Sequence, residues 1–199
     1  MGGCYVFLGD SITDGGRLFL PGHRGLGQGY VRLIADSLEE AGQPSTVINK
    51  GHDGFTVSRL LSNLETDCFP YDPDLVTILV GINNIAVARN TGRSLEEQGF
   101  YEDYGRLLDQ ITERTHAQIL CMGPFVFPWP REYLYWMDDV AAVEAGLQRI
   151  VASRGRARFL PLNASLNEAA QRLGYGRITT DGIHLTALGH EYLSRLWTG

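Results

Sequence analysis

The stretch Leu75-Val76-Thr77-Ile78-Leu79-Val80 is the strongest strand signal in the chain, and it stops at Gly81. A half-buried strand alternates apolar and polar side chains because successive residues face opposite sides of a sheet. A run without that alternation predicts a strand covered on both faces, as in a parallel sheet. Shorter runs of the same kind lie on either side. They are Cys4-Tyr5-Val6-Phe7-Leu8, ended by Gly9-Asp10, then Thr46-Val47-Ile48-Asn49, Ile119-Leu120-Cys121-Met122 before Gly123-Pro124, and Arg158-Phe159-Leu160.

Between these runs the apolar period changes to that of a helix. Val31, Leu33, Ile34, Ala35 and Leu38 mark a helix over Tyr30–Ala41, stopped by Gly42. Further helices are predicted over Val57–Leu64, Leu95–Arg114 (through Tyr104, Leu107, Leu108 and Ile111), Tyr133–Ala152, Leu166–Leu173 and Ala187–Leu196. This alternation predicts a three-layer α/β/α sandwich of about five parallel strands, with helices on both faces and right-handed crossovers.

The 199 residues suit a single domain over 1–199, large enough to bury roughly 70% of its unfolded surface without disulfides or metal. A hydrophobic content of 44% with 20% charged residues is that of a soluble globular protein. The net charge of −6, with no Lys/Arg cluster, argues against nucleic acid as a partner. No apolar run is long enough for a membrane span, and a candidate nucleophile at position 11 leaves no room for a signal peptide. A cytoplasmic location is the expectation. Cys4, Cys68 and Cys121 have no metal or disulfide spacing and read as inert thiols.

In an open parallel sheet, ligands bind beyond the carboxyl ends of the strands. Ser11 follows the first strand in Gly9-Asp10-Ser11-Ile12-Thr13, and Gly54 follows the second in Asn49-Lys50-Gly51-His52-Asp53-Gly54. Asn83 follows the third in Gly81-Ile82-Asn83-Asn84. A serine needs a base, and the base needs a group to orient it. Asp181-Gly182-Ile183-His184 supplies both, three residues apart, near the other end of the chain. The N–H groups of Ser11 and Gly54 and the Asn83 amide are candidate donors to a tetrahedral oxyanion. The plainer alternatives stand beside these roles: Ser11 or Thr13 as a helix N-cap, the glycines and asparagines as turn formers, Asp181 as a turn residue.

The combined pattern resembles the SGNH (GDSL-type) hydrolase superfamily. Ser11, Gly54, Asn83 and His184 match the serine, glycine, asparagine and histidine of its name in order, and Asp181 matches its Asp-x-x-His block. The blocks span residues 9–190. The resemblance implies a flavodoxin-like sandwich, catalysis by Ser11, His184 and Asp181, an oxyanion hole of Ser11, Gly54 and Asn83, and neither metal nor cofactor. Gly9–Arg17, Leu26–Val31, Asn49–Gly51 and Gly81–Asn84 are similar to bacterial intracellular carbohydrate acetylesterases of the acetylxylan-esterase type. The implied substrate is a small ester, an acetylated sugar such as a xylo-oligosaccharide. There are two departures from the family pattern. Asn84 stands where an aspartate is usual, and His52-Asp53 precedes Gly54 where a small residue is usual.

Candidates for substrate binding are Asp10, Arg17, His52, Phe125, Trp129 and Trp136, with His23 and Arg24 flanking the nucleophile loop. The aromatic run from Phe125 through Phe127, Trp129, Tyr133 and Tyr135 to Trp136 suits a sugar platform, an acyl-pocket wall, or a contact in a homo-oligomer. His190 reads as structural, and Asn163-Ala-Ser165 matches a glycosylation sequon. Within the enzyme class the rival reading is a lipid-directed esterase, lysophospholipase or thioesterase. Outside it, the rival is a non-catalytic sugar-binding module.

Overall fold

Strands β1 (Cys4–Gly9), β2 (Thr46–Gly51), β3 (Leu75–Leu79), β4 (Gln118–Met122) and β5 (Ala157–Leu160) form one sheet in the order β2-β1-β3-β4-β5. All four pairings are parallel. The computed structural model describes residues 2–19, 24–43 and 45–199. Strand order reverses between β1 and β3, so chain segments leaving those neighbours diverge to opposite faces and open a crevice at their carboxyl ends.

Central position explains the apolar run that dominates the sequence. Val76, Thr77, Ile78 and Leu79 are all buried. Thr77, the one polar residue among them, accepts a hydrogen bond from the Trp197 indole at 3.0 Å, which removes the penalty of burying a bare hydroxyl.

The helices are α1 (Ser11–Asp14), α2 (Tyr30–Glu40), α3 (Val57–Ser62), α4 (Leu64–Asp67), α5 (Ile82–Thr91), α6 (Phe100–Arg114), α7 (Met137–Ala152), α8 (Asn163–Leu173), α9 (Tyr175–Ile178) and α10 (Ala187–Thr198). In one layer α10 packs on α2; in the other, α3 packs on α6 and α6 on α7. Phe7 of β1 meets Tyr30 of α2 edge-on at 6.0 Å and Trp197 of α10 at 5.7 Å. The strand that carries Ser11 is thereby locked to its helical layer by contacts worth about 1 kcal/mol each beyond area burial. Among the described residues no helix is long and apolar enough to cross a membrane.

The structure corrects several predicted elements. The helix expected over Val57–Leu64 breaks at Asn63, whose side chain donates to the Arg59 carbonyl, and resumes as α4. Residues 95–99 precede α6 instead of belonging to it, and Gly99 adopts φ +69. Tyr133 lies in a short 3-10 turn, Arg131–Trp136, ahead of α7. The segment Ile82–Thr91, not anticipated as a helix, is α5. Cys68 and Cys121 are buried and Cys4 partly so; burial pushes the thiols of Cys68 and Cys121 up to about 12, which keeps them protonated.

Candidate active site

The turn that carries Ser11 is built on close backbone approach. A Cβ on Gly9 would collide with the Thr13 hydroxyl and lie 2.7 Å from the Leu79 carbonyl, so only glycine lets the chain turn against β3. Asp10 caps α1: its Oδ1 accepts from the Ile12 N–H at 3.0 Å, and its carbonyl accepts from Asp14 N at 2.9 Å. Ser11 is therefore the first residue inside the helix rather than its cap, and its N–H meets no acceptor among the described residues. Thr13 is not the cap either; its hydroxyl pairs with Tyr30 Oη at 2.9 Å.

Asn49 of β2 holds this turn from below. Its buried Nδ2 lies 2.7 Å from the Thr13 carbonyl, 2.9 Å from that of Leu26 and 3.3 Å from that of Asp14, and its Oδ1 accepts from Gly51 N at 2.8 Å. Arg17 bridges the same two segments. Its Nε and Nη2 donate to the Gly51 carbonyl at 3.1 and 2.7 Å, and Nε stands 3.2 Å from Asp14 Oδ1. Residue type and position make Arg17 a substrate candidate; the structure gives it a bracing role.

Ser11 Oγ lies 2.9 Å from His184 Nε2, and His184 Nδ1 lies 2.6 Å from Asp181 Oδ2. The other Asp181 oxygen accepts the N–H groups of Ile183 at 2.9 Å and His184 at 2.7 Å. Burial pushes the Asp181 carboxyl up, but the His184 hydrogen bond and those two N–H donors outweigh it and leave the pKa below the ordinary value. Thr179 pins the loop through Oγ1, which donates to the His184 carbonyl at 2.7 Å and accepts from Gly182 N at 2.8 Å. Gly182, at φ +99, passes under the segment that follows β4: its carbonyl accepts from Phe127 N at 2.8 Å. The Phe127 brace is invisible to motif reading, because that residue touches the loop from elsewhere in the fold.

The remaining donors come from the neighbouring strand ends. Gly54 is exposed at φ +70, with open space where a Cβ would be and no acceptor for its N–H among the described residues. Asn83 Nδ2 donates one proton to the Phe55 carbonyl at 3.0 Å, which joins its loop to the Gly54 turn and leaves a second amide proton. Asn84, which stands where an aspartate is usual, joins neighbouring segments: its Oδ1 accepts from Val57 N at 3.1 Å at the start of α3, and its Nδ2 reaches Gln98 Oε1 at 3.2 Å.

Other sequence candidates move. Phe125 and Phe127 are wholly buried and cannot touch a substrate; they pack edge-on at 5.8 Å beneath the site. The aromatic run thus divides, with Trp129 42% exposed and Trp136 half-buried, edge-on to Tyr133 at 4.9 Å. Asp10 is also buried, its Oδ2 unpartnered among the described residues, and burial pushes its carboxyl up to about 7. His52 is turned to Asp67, 2.8 Å away. Arg24 reaches Asp36 and Glu39 instead of the cleft, while His23 lies outside the described residues. His190 is structural as expected: its Nδ1 accepts from Tyr30 N at 3.2 Å. Asn163 of the sequon is buried and accepts from Val126 N, which removes it from the surface.

The GDSL-like lipase/acylhydrolase family matches over residues 7–192. An acetylxylan esterase from Geobacillus stearothermophilus is 29% identical, over 96% of this chain and 90% of the relative. Solved structures of Axe2, an acetylxylan esterase from Geobacillus stearothermophilus, superpose with TM-scores of 0.84–0.85 at 25–26% identity, covering 99% of this chain and 94% of that one, and they include catalytic mutants at an aspartate, a serine and a histidine. A GDSL-like lipase from Parabacteroides merdae superposes with a TM-score of 0.88 at 25% identity, covering 98% and 93%. Fold, site geometry and family match converge: the chain belongs to the GDSL-like lipase/acylhydrolase family and is a carboxylic ester hydrolase.

Proposed function

We propose that residues 1–199 act as one hydrolase domain that removes acetyl groups from carbohydrates, with xylo-oligosaccharides as the favoured class, through an acyl-enzyme on Ser11. One observation carries the mechanism: Ser11 Oγ, His184 Nε2 and Asp181 Oδ2 stand in an unbroken relay of 2.9 and 2.6 Å. His184 takes the Ser11 proton as Oγ attacks the ester carbonyl. Asp181 holds the tautomer with Nδ1–H and steadies the imidazolium. The Ser11 and Gly54 N–H groups and the second Asn83 amide proton receive the oxyanion. His184 then protonates the leaving sugar alkoxide, and in the second half-reaction it activates water to release acetate.

The sugar preference is supported by the acetylxylan esterase likeness and by Trp129, whose exposed ring suits stacking on a pyranose. Free thiols at Cys4, Cys68 and Cys121 suit a reducing compartment and favour action inside the cell.

The test is hydrolysis of acetylated oligosaccharides beside a series of p-nitrophenyl esters, with Ser11→Ala as control. Acetyl esters should be cleaved fastest, and Ser11→Ala should lower kcat by about a thousandfold or more. Wild-type turnover by Ser11→Ala would sink the mechanism. A preference for acyl chains of about eight carbons or longer would sink the deacetylase reading, since each buried methylene is worth roughly 0.8 kcal/mol.

A further inference from the structure

His52 forms a second histidine–aspartate pair outside the relay. Its Nε2 lies 2.8 Å from Oδ2 of Asp67, a buried carboxylate at the end of α4 that also holds Lys50 Nζ at 3.4 Å. Its Nδ1 faces Arg17 Nη2 at 3.5 Å, the arginine already fixed to the Gly51 carbonyl. The ring is therefore held on both nitrogens.

What that ring touches is the turn that carries Gly54. Phe55 N donates to the His52 carbonyl at 3.2 Å, closing a four-residue turn with Gly54 at its third position. The positive φ of Gly54 is the value a type II turn demands there. The rings of the two corner residues, His52 and Phe55, stack 4.4 Å apart at 21°. Beyond the stack, the Phe55 carbonyl is the atom that takes Asn83 Nδ2. The order of contacts runs Asp67, His52, Phe55, Asn83, and it brackets Gly54 from both ends of its turn. Among the described residues nothing fills the space beside Gly54 itself, so the turn's shape depends on its corners.

We propose that His52, fixed by Asp67, is a positioning residue that sets the direction of the Gly54 N–H and the Asn83 amide toward the oxyanion. It is not a substrate contact. The proposal rests on the reading of Gly54 and Asn83 as oxyanion donors. It also gives a role to one member of the His52-Asp53 pair, which departs from the family pattern before Gly54.

The experiment is steady-state kinetics with an acetyl ester on the full chain for His52→Ala, His52→Phe, Asp67→Ala and the His52→Phe/Asp67→Ala double variant. Melting curves confirm folding, and Ser11→Ala is run alongside. Binding of an alkyl boronic acid, which forms a tetrahedral adduct on an activated serine, is measured in parallel.

His52→Ala should lower kcat roughly tenfold with KM within about twofold, less than the hundredfold or more that loss of a whole oxyanion donor brings. Boronate affinity should fall by the same factor. His52→Phe keeps a ring to stack that needs no ion pair, so it should restore kcat to within about twofold. Asp67→Ala should slow the enzyme in the wild-type background and have little further effect in the His52→Phe background, because its influence passes through the histidine.

An unchanged kcat in His52→Ala would overturn the proposal. So would a rise in KM alone, a His52→Phe as slow as His52→Ala, or an Asp67→Ala loss undiminished in the double variant. If Ser11→Ala itself stays active, the underlying catalytic reading falls; if Ser11→Ala is dead and His52→Ala is not slowed, only this inference does.

Discussion

The ring of Tyr133 lies directly against the backbone of Gly182, which stands between Asp181 and His184 in the chain. A Cβ added to Gly182 would come 2.5 Å from Tyr133 Cδ2 and collide with the Trp129 carbonyl, and the φ of +99 already disfavours any side chain. The segment following β4 thus acts as a clamp on the loop that carries Asp181 and His184.

Gly182→Ala should force this loop off its clamp and shift His184 relative to Ser11. Displacements of about 1 Å in a reacting group cost roughly a hundredfold in rate. The expected result is a loss in kcat of that order with the global fold retained, checked by turnover and circular dichroism. Near-normal turnover would show that the loop tolerates displacement.

Asp10→Asn should stabilise the protein at neutral pH and not at low pH. Burial raises the folded carboxyl from an ordinary 3.8 to about 7. Below about pH 4 both states are protonated. Between about 4 and 7 the unfolded chain gives up a proton that the folded one keeps, so stability falls as pH rises. The difference corresponds to about 4 kcal/mol at most. Melting temperatures of variant and wild type should therefore diverge by several degrees between pH 4 and 8 (about 2–4 °C per kcal/mol). A constant gap would contradict the assignment.

His190 works in the opposite sense. Burial, and then the charge of His184, lowers its pKa from an ordinary 6.5 to about 4. As pH falls through that interval the unfolded chain takes up a proton that the folded state refuses, and stability drops. His190→Gln should remove that loss on the acid side. Alone, it should leave the Asp10 slope exposed, with the variant becoming more stable as pH falls from 6.5 to 4. The readout is urea midpoints across that range.

Asn49→Ala should lower stability by about 3 kcal/mol, because the Thr13 and Leu26 carbonyls and the Gly51 N–H lose their partner in a buried site. Urea unfolding measures the loss. A change below about 0.5 kcal/mol would mean that water replaces the amide without penalty.

The layers were legible because Leu75–Val80, Cys4–Leu8 and Ile119–Met122 are apolar runs too short for helices and are separated by helical stripes. α5 escaped because Ile82, Ile85, Val87 and Ala88 spread around the helix instead of forming one face. The Ser11, His184 and Asp181 geometry was legible because each residue occupies a short local motif. Phe125 was misplaced for the opposite reason. Residue type suggested an aromatic rim, while burial is decided by contacts such as Val126 N with Asn163 and Phe127 N with Gly182. The true orientation of His52 was hidden because Asp67, the partner that turns it from the substrate, is 15 positions distant with no motif to join them.

The hold of Asn49 on the nucleophile turn has a consequence for the conditions under which the enzyme keeps its shape. All its bonds join uncharged groups: one side-chain amide, three carbonyls and one peptide N–H. Mobile ions screen exchanges between charges, not short contacts between buried dipoles. The amide's share in holding the perch of Ser11 should thus be indifferent to ionic strength, and any salt sensitivity of turnover should arise at the charged contacts, Arg17 with Asp14 and the half-exposed His184 with Asp181.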